Sequence, residues 1–306
     1  MNKEILFLNP VFTHNIWGGT KLREEYGYDV EGDDIGECWG VAAHENGNCT
    51  VKNGEFAGQT LADLWDSHRE LFGGIDGVRF PLLIKIIDAK DDLSIQVHPD
   101  DAYAAEHENG SFGKMECWYI LDCKEDSTLV IGHNARTKEE LCDMIEGKKW
   151  KEFIREIPVK KGDFIQIDPG TLLETQQNSD ITYRVYDYDR LSNGKPRDLH
   201  VKQSIDVITV PAKPVEDSVI SVKADKANEL CELISCKYYT VYKLDVEGKA
   251  ELNVGDKPFL IMSVVAGSGT VDGNAIKKGD HFILPNGYSN PVFEGNMEIV
   301  ASTVSK

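Results

Sequence analysis

Basic charge is scarce in this sequence: 33 Lys and Arg face 52 Asp and Glu over 306 residues, a formal charge of −19. Nucleic acids and anionic membranes are held by net basic surfaces, so the balance argues against both as partners. Long apolar runs are missing too. The charge-free stretch 258–271 is interrupted by glycines and serines, and a bilayer span takes about 20 apolar residues. The opening Met1-Asn2-Lys3-Glu4 has nothing of a signal peptide's apolar stretch. Cysteine occurs at 38, 49, 117, 123, 142, 231 and 236, an odd count with no CxxC spacing. A disulfide framework or a cysteine-based zinc site is therefore not expected, and reduced thiols in a cytoplasmic chain are.

What is present reads mostly as short strands. Turn clusters such as Glu31-Gly32-Asp33-Asp34, Glu45-Asn46-Gly47-Asn48 and Ser192-Asn193-Gly194 punctuate the chain. Residues 81–88 and 93–98 read as a hairpin, and 114–121 and 181–189 as further strands rich in aromatic and β-branched residues. Helices are predicted at 60–71, at 100–107 after Pro99, and behind the capping box Thr137-Lys138-Glu139-Glu140. The segment Val159-Lys160-Lys161-Gly162-Asp163-Phe164-Ile165 is echoed by Ile276-Lys277-Lys278-Gly279-Asp280-His281-Phe282. That weak repeat predicts two related all-β barrels, with helices inserted in the first half. Pro211-Ala212-Lys213-Pro214-Val215 reads as the linker, giving domains at 1–214 and 215–306.

Side chains alternate along a strand, so Ser94, Gln96 and His98 share one face, and Lys114 and Glu116 share another. A solvated edge strand explains such a face equally well from spacing alone. The alternative is metal binding: imidazole nitrogen, amide oxygen and carboxylate oxygen form a set that zinc and similar ions accept. Lys85 interrupts the apolar run Pro81-Leu82-Leu83-Ile84-Lys85-Ile86-Ile87. A buried ammonium costs several kcal/mol unless paired, so it needs either a carboxylate such as Asp88 or an anion from outside. Arg184 and Arg190 fall in phase along 181–190 and suit a phosphate, unless Asp187 and Asp189 merely salt-bridge them. A metal beside a phosphate clamp points to sugar-phosphate chemistry, in which a proton moves between adjacent carbons.

These motifs resemble those of the type I mannose-6-phosphate isomerases, especially the short bacterial form. The resemblance runs from Pro10-Val11-Phe12 and Ile16-Trp17-Gly18-Gly19 through Ser94-Ile95-Gln96-Val97-His98-Pro99 and Gly113-Lys114-Met115-Glu116-Cys117-Trp118. It continues to Gln176-Gln177-Asn178-Ser179-Asp180 and Tyr183-Arg184-Val185-Tyr186-Asp187-Tyr188-Asp189-Arg190. It implies a double cupin fold and zinc-dependent interconversion of mannose 6-phosphate and fructose 6-phosphate through a cis-enediol. It further implies one zinc ion per chain on Gln96, His98 and Glu116, a catalytic Arg184, and Lys114 at the proton-transfer centre. Ser94, Lys85 and Arg190 become phosphate contacts, and Trp17 an active-site wall. The implied partner is a phosphorylated hexose, bound by a monomer or weak homodimer.

One departure bears on the metal. The family's second metal histidine follows a Gly-Thr turn, whereas here Gly170-Thr171-Leu172 runs directly into Leu173-Glu174-Thr175-Gln176-Gln177. Leu173 stands where the histidine belongs, and a short stretch is absent. Neither His200 nor His281 is placed to replace it, and Glu174 is a weaker candidate. The short segment reads as a natural variation, an engineered deletion or an omission from the sequence. Two rivals follow: a sugar-phosphate-binding cupin that has lost catalysis, and an iron-dependent cupin oxidoreductase, which would need a second well-placed histidine.

Overall fold

In the computed structural model, which describes residues 3–169, 177–220 and 226–305, the two Lys-Lys-Gly-Asp turns fold alike. The aspartate accepts the amide of the first lysine in each, Lys160 to Asp163 Oδ2 at 2.9 Å and Lys277 to Asp280 Oδ2 at 2.8 Å. The glycine that follows is left-handed, with φ of 89° at Gly162 and 93° at Gly279, a conformation that is costly for a residue with Cβ. From each turn leaves a four-residue strand, Phe164–Ile167 or His281–Leu284. Each pairs antiparallel with an earlier strand, Glu116–Tyr119 or Leu260–Val271, so that Ile167 lies opposite Glu116 and Leu284 opposite Leu260. Equivalent positions thus carry a carboxylate in the first copy and a leucine in the second.

The chain divides into two compact units, Met1–Asp91 with Lys223–Lys306, and Asp92–Val222. This partition differs from a division near Pro214, and strand pairing supplies the reason. Leu6–Asn9 pairs with His281–Leu284 on one side and Thr50–Val51 on the other, extending the sheet of the C-terminal segment. In the first unit that sheet runs Cys231–Ser235, Tyr239–Glu251, Val292–Val304, Leu260–Val271, His281–Leu284, Leu6–Asn9, Thr50–Val51. Alternate residues such as Leu260, Met262, Val264, Phe282, Leu284 and Ile299 form its core. A second sheet joins Val11–Gly19, Ile35–Val41 and Ile84–Ile87. The predicted helix at 60–71 is Leu61–Ser67, capped by Thr60, followed by a 3-10 turn, Arg69–Phe72.

His281 is buried in this unit. The Tyr28 hydroxyl donates to Gly279 O at 2.7 Å, which leaves its oxygen to accept from His281 Nε2 at 3.1 Å. Ser263 Oγ lies 2.8 Å from Nδ1. Burial pushes the imidazole pKa from 6.5 down to about 4. Between those values the unfolded chain holds a proton that the folded chain does not, so stability falls as the pH drops from about 6.5 toward 4. Urea unfolding at pH 7 and 4.5 is expected to show a loss of about 2 kcal/mol from this group. His281→Gln should lose that part of the pH dependence; an unchanged slope would count against the assignment.

In the second unit, Ile95–Val97 pairs with Tyr183–Tyr186, and Phe164–Ile167 lies between Glu116–Tyr119 and Val219–Ile220. The hairpin expected from 81–88 and 93–98 is not formed, because Ile84–Ile87 and Ile95–Val97 take these other partners. Helix Asp101–His107 is capped by Asp100 and Lys138–Glu146 by Thr137. The return arm of the capping box is shifted by one: Glu140 accepts the amide of Arg136 at 2.7 Å. Ile95, Val97, Tyr183 and Val185 pack with Leu141, Ile145 and Phe153 in one apolar cluster. That packing commits the opposite faces of both strands to the polar residues.

Candidate active site

Because Ile95 and Val97 point into the apolar cluster, Ser94, Gln96 and His98 point the other way, yet all three are buried. The solvated-edge reading of this face is therefore set aside. His98 Nδ1 donates to Ile181 O at 2.9 Å, and Nε2 lies 2.7 Å from Glu116 Oε1. Ser94 Oγ donates to Gln96 Oε1 at 3.4 Å. Glu116 and Lys114 are both fully buried, with Lys114 Nζ 3.4 Å from the same Oε1. Gln177 holds the entry to their strand, accepting from Met115 N at its Oε1 and donating its own amide to Met115 O, each at 2.9 Å.

Register brings Arg184 to this face. Its Cα pairs with that of Gln96, and residues directly opposite in a ladder project to the same side. Its Nη1 donates to Asp198 O at 2.9 Å, its amide donates to His200 Nδ1 at 3.1 Å, and Nε is buried with no hydrogen-bond partner among the described residues. Burial, followed by the charge of Arg197, holds this guanidinium below its ordinary pKa.

Arg190 departs from expectation. The strand ends at Tyr186, and Tyr188 and Asp189 both turn left-handed at φ 54°, so the in-phase argument stops short of Arg190. Its Nη2 donates to Asp187 Oδ1 at 2.6 Å, its Nε to Asp187 O at 3.2 Å, and its Nη1 to Asp92 O. Asp187 also accepts two bonds from Arg197, a residue that the sequence motifs passed over. Burial works to raise the Asp187 carboxyl, but the two arginines outweigh it and hold it below the usual carboxylate range.

Lys85 and Trp17 belong to the first unit, and both side chains are buried there. The carboxylate beside Lys85 is Glu37, at 3.2 Å, not Asp88. Parity explains the correction. Glu37 lies opposite Ile87, placing it diagonally across from Lys85 on one face, whereas Asp88 falls on the other. Asp88 instead accepts the amide of Lys21 at 2.7 Å. The Lys85 ammonium also sits 4.7 Å from the Trp39 ring, and Trp39 Nε1 donates to the same Glu37 oxygen at 2.6 Å. A lone Glu in the otherwise apolar Ile35-Gly36-Glu37-Cys38-Trp39-Gly40-Val41 was the available signal.

Residues 170–176, including Leu173 and Glu174, lie outside the described residues. Among the described residues, no three His, Cys, Asp or Glu side chains gather as a metal set. A metal here would need a donor of another kind, and the Gln96 amide shares the His98 face. The donor chemistry fits. With Nδ1 donating to Ile181 O, a neutral His98 presents the Nε2 lone pair to a carboxylate oxygen 2.7 Å away. Two acceptors that close require positive charge between them, either a proton or a cation, and a carbonyl behind the ring is the usual support for a metal-binding imidazole.

A strand-dominated fold with repeated barrel turns and this buried imidazole–carboxylate pair defines a cupin protein. Residues 5–119 match the phosphomannose isomerase type I catalytic domain, and residues 229–304 match the mannose-6-phosphate isomerase cupin domain. The chain is 48% identical to mannose-6-phosphate isomerase ManA of Bacillus subtilis strain 168 over 316 positions, covering 99% of each. A crystal structure of the mannose 6-phosphate isomerase from Bacillus subtilis is similar with a TM-score of 0.91 and 45% identity, covering 98% of this chain and 99% of that one. A mannose 6-phosphate isomerase bound with zinc and yttrium shares the fold, with a TM-score of 0.77 at 15% identity over 99% and 100% of the chains. The chain belongs to the type I mannose-6-phosphate isomerase family.

Proposed function

We propose that this chain interconverts mannose 6-phosphate and fructose 6-phosphate, moving a proton between C1 and C2 through a cis-enediol. The full-length match to ManA, at 48% identity, carries the reading. The polar face supports it with a buried imidazole, carboxylate, amide and ammonium and a half-buried guanidinium. Gln96, His98 and Glu116 would hold a zinc ion. When bound, the ion polarises the oxygens on the two carbons between which the proton moves.

The remaining steps fall to the chain's own groups. Arg184 sets a fixed positive charge against the enediolate oxygens, in a place where low polarity strengthens it. Lys114 holds a proton at Nζ, 3.4 Å from Glu116, within the buried site where C1 and C2 exchange theirs. Ser94 as a phosphate contact follows from the resemblance and remains part of the proposal; the resemblance implies the same for Lys85, and a wall for Trp17, within the first unit, whereas Arg190 is spent on Asp187 and Asp92. A metal held with one family ligand missing is also part of the proposal. The alignment with ManA spans 316 positions against 306 residues here, which supports a chain shortened by about ten residues relative to that enzyme. Seven free cysteines support a cytoplasmic location.

The test is zinc content together with turnover in a coupled assay. Turnover that chelation abolishes and zinc restores is the expected result. Tight phosphosugar binding with neither zinc nor turnover would replace the enzyme by the binding-protein reading.

A further inference from the structure

We propose that Arg197 is a phosphate contact of this site, holding the substrate's anionic end through its free Nη1 edge while Asp187 positions the guanidinium. The proposal rests on the sugar-phosphate reading above and names a residue that the family motifs did not supply.

The argument begins with donor accounting. Arg190 spends every guanidinium nitrogen on the protein: Nε on Asp187 O, Nη2 on Asp187 Oδ1 and Nη1 on Asp92 O. Its fork is committed to shaping the loop. Arg197 lies side-on to the same carboxylate, with Nε donating to Oδ2 at 2.7 Å and Nη2 to Oδ1 at 2.5 Å. Among the described residues its Nη1 meets no acceptor, and the side chain keeps 20% exposure while Asp187 keeps 5%. The bidentate pair fixes the guanidinium plane in advance, which is what an anion site gains from preorganised arginine.

Charge accounting points the same way. One carboxylate, Asp187, serves two arginines, and Arg184 stands close enough to feel both, Arg197 more strongly than Arg190. Three guanidiniums set against two carboxylates, Asp187 and Asp198, leave one positive charge in excess within a chain of net −19. Clustered, partly desolvated cations repel unless an anion joins them. A phosphate oxygen matches the unused Nη1 N–H groups of Arg197.

The experiment uses the zinc-loaded full chain and compares wild type with Arg197→Gln and Arg197→Lys. Inorganic phosphate binding is measured by calorimetry, and kcat and KM for mannose 6-phosphate are measured separately. Arg197→Gln is expected to weaken phosphate binding and raise KM by about 10- to 100-fold, the weight of one charged hydrogen-bond contact. Its kcat should stay within a few-fold, and Arg197→Lys should recover part of the phosphate affinity. Phosphate affinity within twofold of wild type in Arg197→Gln, with or without a lower melting temperature, would overturn the proposal and leave Arg197 a structural partner of Asp187. If Arg197→Gln does not fold, Arg197→Lys with undiminished phosphate affinity would overturn it equally. Phosphate binding that depends on Arg197 in a chain that turns over no substrate would keep the contact and defeat the isomerase reading instead.

Discussion

Arg184→Ala is expected to lower kcat by roughly 10²- to 10³-fold, the range for losing one preorganised charge-stabilising donor. The residue stands opposite Gln96 and belongs to no apolar cluster, while its neighbours Tyr183 and Val185 carry the packing. Truncation therefore removes charge without opening the core. The structural loss is confined to the bond to Asp198 O, about 1 kcal/mol, so circular dichroism and the melting temperature should change little. Arg184→Lys keeps a charge but loses the planar fork, and should recover only part of the rate. Activity of Arg184→Ala within threefold of wild type would remove the residue from the chemistry.

His98→Ala is expected to abolish metal retention and, with it, turnover. His98 supplies the only imidazole on this face among the described residues, and its Nδ1 bond to Ile181 O fixes which nitrogen faces Glu116. Losing it leaves an amide and a carboxylate, too few strong donors to compete with water. Melting provides a readout independent of activity. A ligand at 100 times its Kd stabilises the folded state by about 2.7 kcal/mol, so zinc should raise the wild-type melting temperature and leave that of His98→Ala unmoved. Full zinc content in the dialysed variant would place the ion elsewhere.

Much of this site was legible in the sequence because strands have period two. Gln96 and His98 fall on one face with Ile95 and Val97 packed on the reverse side, whereas the strand expected from 114 opens only at Glu116 and Lys114 is buried just before it. The capping box at Thr137 announced its helix, while the caps at Thr60 and Asp100 emerge only in the structure. The repeated Lys-Lys-Gly-Asp turn was legible because its conformation is local.

What local spacing did not reveal depended on distant partners or on where a strand stops. Glu37 reaches Lys85 only through the pairing of Ile35–Val41 with Ile84–Ile87. Leu6–Asn9 joins a sheet built from the other end of the chain. Arg190 was expected in phase with Arg184, but the ladder ends at Tyr186 and two left-handed residues redirect the chain. Arg197 follows the Leu191–Ser192 and Lys195–Pro196 hairpin, and only the fold shows that it shares Asp187 with Arg190.

Anomalous diffraction at the zinc edge, on crystals of the zinc-loaded chain, tests most directly whether the ion belongs to this face. A single strong peak within coordination distance of His98 Nε2 and a Glu116 carboxylate oxygen, with the Gln96 amide turned toward it, is the expected outcome. A peak at some other cluster of side chains, with His98 Nε2 and Glu116 Oε1 still 2.7 Å apart, would contradict the proposed centre.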